Sequence, residues 1–300
     1  MTVPALPRCA DAARERSDPL HATAPPSARL LLVEVPGPWG RTALTDSRLD
    51  RYASGRLADR AQAAGVRVLL VRRPGRHALT PGDGPRRWAV ADTRPGREVV
   101  HWGTWQHEHE LLEVDLTATP PPDGPQQLAL VCTHGRHDVC CALRGRPVAL
   151  ALAQAAPGWD VWECSHLGGD RFAANVLLAP SGDLFGSLDP VSAVAVVRAH
   201  DEGRLQLDHY RGRVGRPMVE QAALHHAALV LAEDRRGALR VVSVTGRDEV
   251  WRVYVAGGGR RYVVIVAAHW SEPARLTCAA GWPERVRRFD LVGFEDAGAL

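Results

Sequence analysis

Four of the six cysteines, Cys132, Cys140, Cys141 and Cys164, fall within 33 residues, joined by His134 and His137 among them and His166 just beyond. Clustered thiols and imidazoles in a chain of this size point to a metal or redox site rather than a disulfide framework. The spacings are C-x7-C, C-x8-C and C-x-H. Closed zinc sites use tighter pairs such as C-x2-C, and the absence of any C-x-x-C argues against a thioredoxin-type dithiol. Donors further apart along the chain suit a larger centre, and mixed Cys and His ligation of a two-iron cluster is sound chemistry. Two other readings stay open. The vicinal pair Cys140 and Cys141 could supply a nucleophile for a thiol oxidoreductase, or the donors could hold a structural zinc in a binding protein. A free cysteine is most often a small buried hydrophobe, which would account for one of the four more readily than for all.

The elements around these residues are expected to bring them together. QLALVCTHG reads as an apolar strand running into a polar loop at Cys132, and RGRPVALALAQAA as a helix beginning near Pro147 and stopping before Pro157. DVWECSH, ANVLLAP and DLFGSL read as short strands, and DPVSAVAVVRAHDEG as a second helix. If QLALV and DVWE are parallel neighbours joined by the helix, the loops after both leave from one sheet edge, so that Cys132 faces the Cys164 to His166 segment. Cys140 and Cys141 then lie at the approach to the helix, whose N-terminus favours thiolate. The order strand, helix, strand, strand, strand, helix is thioredoxin-like.

Upstream, ARLLLVEV, the helical SRLDRYASGRLADRAQAAG and VRVLLVRR, followed by RRWAVADT, REVVHWGTW and LLEVDL as strands, predict a smaller α/β unit over 29–117. A Pro-rich linker is expected at 118–125 and a mobile tail over 1–28. Downstream of 204, MVEQAALHHAALVLAEDRRG predicts a helix, and LRVVSVTG, VWRVYVAGGGRRYVVIVAAHW and ARLTCAA an antiparallel meander with a glycine-rich hairpin. The expected domains are therefore 1–28, 29–117, 126–204 and 205–300. Cys9 falls in the expected tail and Cys278 in a late strand, packed. Trp162 reads as core, and His107, His109, His225 and His226 as surface or internally satisfied histidines.

At 300 residues and 45% hydrophobic content a sizeable core is available without disulfides. All 37 basic residues are arginine, so Schiff-base and P-loop lysine chemistry is excluded, and a net charge of +3 is too small for nucleic-acid binding. No apolar run reaches the roughly 20 residues of a membrane span, and Arg and Asp occupy the start where a signal peptide is apolar. A cytoplasmic protein with reduced thiols is expected.

CTHGRHDVCCALRGRPVALAL (132–152) and VWECSHLGGDRFAANVLLAPSGDLFG (161–186), with EVPGPWGRTAL (34–44), VLLVRRPGR (68–76) and HYRGR (209–213), resemble the sucrase/ferredoxin-like family over most of residues 29–280. The resemblance implies a thioredoxin-like ferredoxin domain carrying a 2Fe-2S cluster, and no sugar hydrolysis despite the name. In the family's fungal branch the ligands form C-x8-C and H-x3-H pairs. These carry over to Cys132, Cys141 and His166, but the last position holds Asp170. The fourth ligand is then Cys164, the preferred reading because thiolate suits iron better than carboxylate, or Asp170. Around the centre, Cys140 is expected as a spare packed thiol, and Gly168 and Gly169 as close backbone approaches. Arg171, with Arg144 and Arg146, would balance charge or steer a partner. The function so implied is that of a one-electron carrier docking a redox partner protein, with no substrate pocket of its own.

Overall fold

The chain runs twice through the same order of elements, and the computed structural model, which describes residues 7–75, 84–117 and 121–299, shows both runs in a single sheet. A short helix α1 (Cys9–Glu15) precedes the first run of β1 (Arg29–Glu34), α2 (Arg51–Ala63), β2 (Val66–Arg72), β3 (Arg86–Asp92) and β4 (Val99–Trp105). The second run is β5 (Leu128–Cys132), α3 (Val139–Ala155), β6 (Asp160–Cys164), β7 (Val176–Ala179) and β8 (Asp183–Phe185), followed by α4 (Pro190–Asp201) and β9 (Tyr210–Arg213). In each run the first two strands are parallel and the next two antiparallel, giving the order β4-β3-β1-β2-β6-β5-β7-β8-β9. The central strands are buried on both faces, as continuous apolar runs such as LALVC require. Helices start where a side chain can accept the free N–H groups of the first turn: Asp50 for α2, Asp138 for α3 and Asp189 for α4.

The two runs meet edge to edge, antiparallel, through only two residue pairs, Val71 with Cys164 and Arg72 with Glu163. So short a ladder is reinforced by side chains. The buried Arg72 guanidinium donates from Nε to Glu163 Oε2 at 2.8 Å and stacks over Trp39, and Thr133 Oγ1 donates to the same carboxylate at 3.0 Å. Glu163→Gln keeps the shape but removes the charge that Arg72 faces, and is expected to cost about 2 kcal/mol. Urea melts compared with wild type check this, and an unchanged midpoint would show that the junction does not depend on the pair.

A separate antiparallel sheet, β10 (Arg240–Arg247), β11 (Val250–Gly257), β12 (Arg260–Trp270) and β13 (Arg287–Ala299), packs against α5 (Met218–Leu231). The expected glycine-rich hairpin is the β11–β12 turn, where Gly258 and Gly259 both take positive φ. The α/β class, the two-helix organisation of the second run and the terminal helix with its meander stand as expected. Residues 29–105 and 128–213 nevertheless contribute to one sheet, and β9 extends it past residue 204.

Four local expectations differ from the structure. Residues 7–28 are ordered rather than a mobile tail: α1 buries Cys9, Ala10 and Ala13, and Thr23 N–H donates to Arg211 O at 3.1 Å. LLEVDL is not a strand. Glu108–Leu112 forms a 3-10 turn, started by a reciprocal cap between His107 and Glu110, because Leu111 and Val114 are spaced to meet one side of the core. Helix α3 begins at Val139, not near Pro147, since the Asp138 cap outweighs the one backbone donor that Pro147 lacks. ARLTCAA is a turn segment rather than a strand, because Cys278 N–H is taken by Asp138 Oδ2 at 2.6 Å and not by a ladder. The fourth strand is instead β13, whose alternation breaks at a bulge beside Ile265 and Val266. Of the expected linker, residues 121–125 are described, and Pro125 O accepts the Trp102 Nε1–H at 2.8 Å. Residues 1–6 of the expected tail, Arg76 and 118–120 lie outside the described residues.

The N-terminal segment joins the second sheet through histidines. His21 stacks on His225 at 4.6 Å and meets His226 edge-on at 4.9 Å, and Phe289 O accepts from Nε2 of both His21 and His226. Burial, with His21 and His226 alongside, pushes His225 from 6.5 down to about 3. A folded-state pKa below the unfolded one means that stability is full above about 6.5 and is lost as pH falls from there towards 3. Denaturant midpoints are expected to drop from pH 7 to pH 4, and His225→Gln to flatten that slope. The same slope in both proteins would clear His225 of the effect.

Candidate metal centre

Strand β5 ends at Cys132, and the turn Thr133–Asp138 reverses the chain into α3, so Cys140 and Cys141 occupy the first helical turn. Gly145, one turn further on, lies against Cys132 O, where any Cβ would collide with backbone. The parallel neighbour β6 ends at Cys164, opposite Cys132 in register. Its loop is pinned to β2 by Ser165 N–H on Leu70 O at 2.8 Å, and by Arg67, whose Nη2 donates to His166 O at 2.6 Å. Gly168 and Gly169 then take φ of +91° and +73°, two left-handed residues that turn the chain so that Asp170 returns beneath His166. Buried Arg211 and Asn175 hold that turn through Gly168 O and Gly169 O.

The thiols of Cys132 and Cys141 and a nitrogen of His166 all lie within 4.8 Å of one another, and His137, His166 and Asp170 form a second such group sharing His166. Cys141 Sγ donates to Asp170 Oδ1 at 3.1 Å, and His137 Nε2 lies 3.5 Å from Oδ2. The rings of His137 and His166 stack at 3.8 Å. His166 Nδ1 is 2.9 Å from Asp170 Oδ1, yet its hydrogen-bonding direction misses that oxygen and the buried atom has no hydrogen-bond partner. An imidazole gathered with two thiols and paired with a carboxylate without an aligned hydrogen bond fits a metal ligand.

The electrostatics agree. Hydrogen bonding from Cys141 pulls Cys132 well below the ordinary thiol range against its burial, and His166 adds to this; the same contact, with burial, pushes Cys141 up. Burial works against the His166 imidazolium, but the neighbouring Asp170 and Cys132 outweigh it and lift the ring to about 9. Burial also opposes charge on Asp170, and His166, Cys141 and His137 still bring it below the usual carboxylate range. The charged forms of Cys132, Asp170 and His166 are thus favoured in one corner, as suits residues that could hold a metal.

The remaining expected residues are placed as follows. Cys164 belongs to neither group; it is buried in the sheet core beside Cys132, and burial raises its pKa. Cys140 faces away from Cys141's group and joins Cys9, Cys278 and Asp138. Arg171 turns to Asp18 at 3.3 Å and Arg144 pairs with Asp11, so both hold the N-terminal segment rather than the centre. Half-buried Arg67 lies beside the centre as well, and among 37 arginines nothing in the sequence sets it apart. His137 lies in the clustered stretch but carries no distinguishing motif. Trp162 is fully buried, with Arg73 stacked over it. Across the centre's mouth, the loop after β1 reaches over: Gly40 O meets His134 Nε2 at 2.6 Å and Trp39 packs edge-on to the same ring.

The family model described as sucrase/ferredoxin-like matches residues 20–212, well over half of the chain and all of the nine-stranded sheet but the last residue of β9. No curated protein and no solved structure matches.

Proposed function

Because the chain belongs to the sucrase/ferredoxin-like family, we propose that it binds a 2Fe-2S cluster through Cys132, Cys141, His166 and Asp170 and carries single electrons for a redox partner protein in the cytoplasm. The observation that carries this reading is the convergence of two buried thiols with the His166 imidazole and a buried carboxylate at the ends of parallel strands. Cys164 is then a buried neighbour of the centre rather than a ligand. The thioredoxin-like description of residues 126–204 draws support from a parallel βαβ pair followed by two antiparallel strands and a helix. When bound, such a cluster supplies one reversible electron, at a potential raised by nitrogen and oxygen ligands relative to four thiolates.

The chain's own residues do the rest. Asp138 caps the helix that presents Cys141, and the Arg67 and Arg211 contacts hold the His166–Asp170 loop in place. The thiols are buried, whereas the His166 and His137 side chains keep 27% and 33% of their surface exposed, so the imidazole edge is the face a partner would meet. No helix among the described residues is long and apolar enough to cross a membrane. The close approach of the donor atoms also fits a single zinc ion, the second reading. An absorbance spectrum of anaerobically purified protein, with iron, sulfide and zinc measured on the same sample, separates the two. Visible bands bleached by dithionite with about two irons and two sulfides per chain are expected; a colourless, iron-free protein after reconstitution would overturn the electron-carrier reading.

A further inference from the structure

We propose that Cys9, Cys140, Cys278 and Asp138 form a second, mononuclear zinc site that fastens the N-terminal helix and the β12–β13 connection to the start of α3. Their ligand atoms all lie within 4.8 Å of one another. Cys140 Sγ is 3.5 Å from Cys278 Sγ, which is 3.6 Å from Cys9 Sγ. A disulfide would need about 2.05 Å. Four ligands at the Zn–S distance of about 2.3 Å define a tetrahedron with edges of about 3.8 Å, so these sulfurs stand close to where a single tetrahedral ion would hold them.

Asp138 completes the set and calls for a cation. Its carboxylate is 2% exposed and has no arginine or histidine within ion-pair distance among the described residues. It accepts N–H groups from Cys140 at 2.8 Å and Cys278 at 2.6 Å, and its oxygens face Cys9 Sγ at 3.6 and 3.7 Å. A buried carboxylate without a counter-charge is expensive, and a divalent ion supplies one. Binding would exchange the thiol protons for the metal with no electron transferred, since zinc is redox-inert. The excess negative charge of such a site is met by the N-terminus of α3, by Cys9 N–H on Cys278 Sγ at 3.4 Å and by Arg275, which donates to Cys278 O.

This site is distinct from the cluster centre. Successive residues on a helix diverge by about 100°, so Cys140 and Cys141 point to different groups. Cys9 and Cys278 both lie outside the 20–212 family match. The ion would tie together segments that are 138 and 269 residues apart, on three different parts of the fold.

The test uses the full chain, reduced, loaded with zinc sulfate and desalted. In Cys141→Ser, where the first centre is disabled, about one zinc per chain is expected to remain, bound by three sulfurs and one oxygen in X-ray absorption at the zinc edge; in Cys141→Ser/Cys278→Ser it is expected to fall below about a tenth. If Cys141→Ser does not fold, wild type and Cys278→Ser should differ by about one zinc per chain. A chain that takes up no zinc, or a double variant that keeps it, overturns the proposal. So does a thiol count on denatured protein that reveals a disulfide among the three cysteines. The proposal does not depend on iron at the first centre, and either can fail alone.

Discussion

Cys141→Ser is expected to lose nearly all bound iron and the visible absorbance with it, to below about a tenth of wild type, because a hydroxyl replaces a soft thiolate at the heart of the donor group. The comparison that gives this result meaning is between Asp170→Ala and Cys164→Ala. Asp170 touches Cys141 and lies against both His166 and His137, so its removal should also deplete iron severely. Cys164 belongs to neither donor group and is packed in the sheet core, so trimming it to alanine should leave iron in place at a cost of about 1 kcal/mol in stability. Iron retained in Asp170→Ala and lost in Cys164→Ala would replace the proposed ligand set with three cysteines and a histidine.

Arg211→Ala is expected to destabilise the protein by about 3 kcal/mol, because several buried neutral acceptors lose their donor at once. The residue is 1% exposed. It donates to Thr23 Oγ1 at 3.0 Å, Thr23 O at 2.6 Å, Gly168 O at 2.8 Å and Asn175 Oδ1 at 2.8 Å. One side chain therefore ties the N-terminal segment, the left-handed turn before Asp170 and β9 together. Gly169 lies so close to the guanidinium that a Cβ there would stand 2.5 Å from Nη2. Iron content should fall alongside stability, since the turn that returns Asp170 to His166 loses its support. Arg211→Lys should recover only part of the loss, because an ammonium cannot reach all these acceptors at once. Denaturant midpoints and metal content measure both, and an Arg211→Ala chain within about 1 kcal/mol of wild type would show that the network does not hold the turn.

Much of the local structure was legible in the amino-acid sequence because it depends on neighbours a few residues away. The apolar runs at β1, β2, β5 and β6, the Asp-capped helices α2 and α4 and the glycine-rich hairpin each follow from period and turn chemistry within a dozen residues. The Cys132 and Cys141 pair was singled out by the family resemblance and not by local geometry, because the sequence reading started the helix near Pro147 whereas Cys141 lies in its first turn. Where two local signals competed, the Asp138 cap prevailed over Pro147, and core contacts of Leu111 and Val114 decided LLEVDL between strand and 3-10 turn. Asp170 was already implied by the family resemblance, but only the tertiary structure could set Cys164 apart from the donor groups and bring His137 into one of them, because that choice turns on side-chain direction. Only it could show that Cys9, read as part of a loose tail, and Cys278, read as a packed strand residue, meet Cys140. Contacts across 138 and 269 residues impose no period on the sequence between them, so the chain carries no local trace of a meeting that folding alone produces.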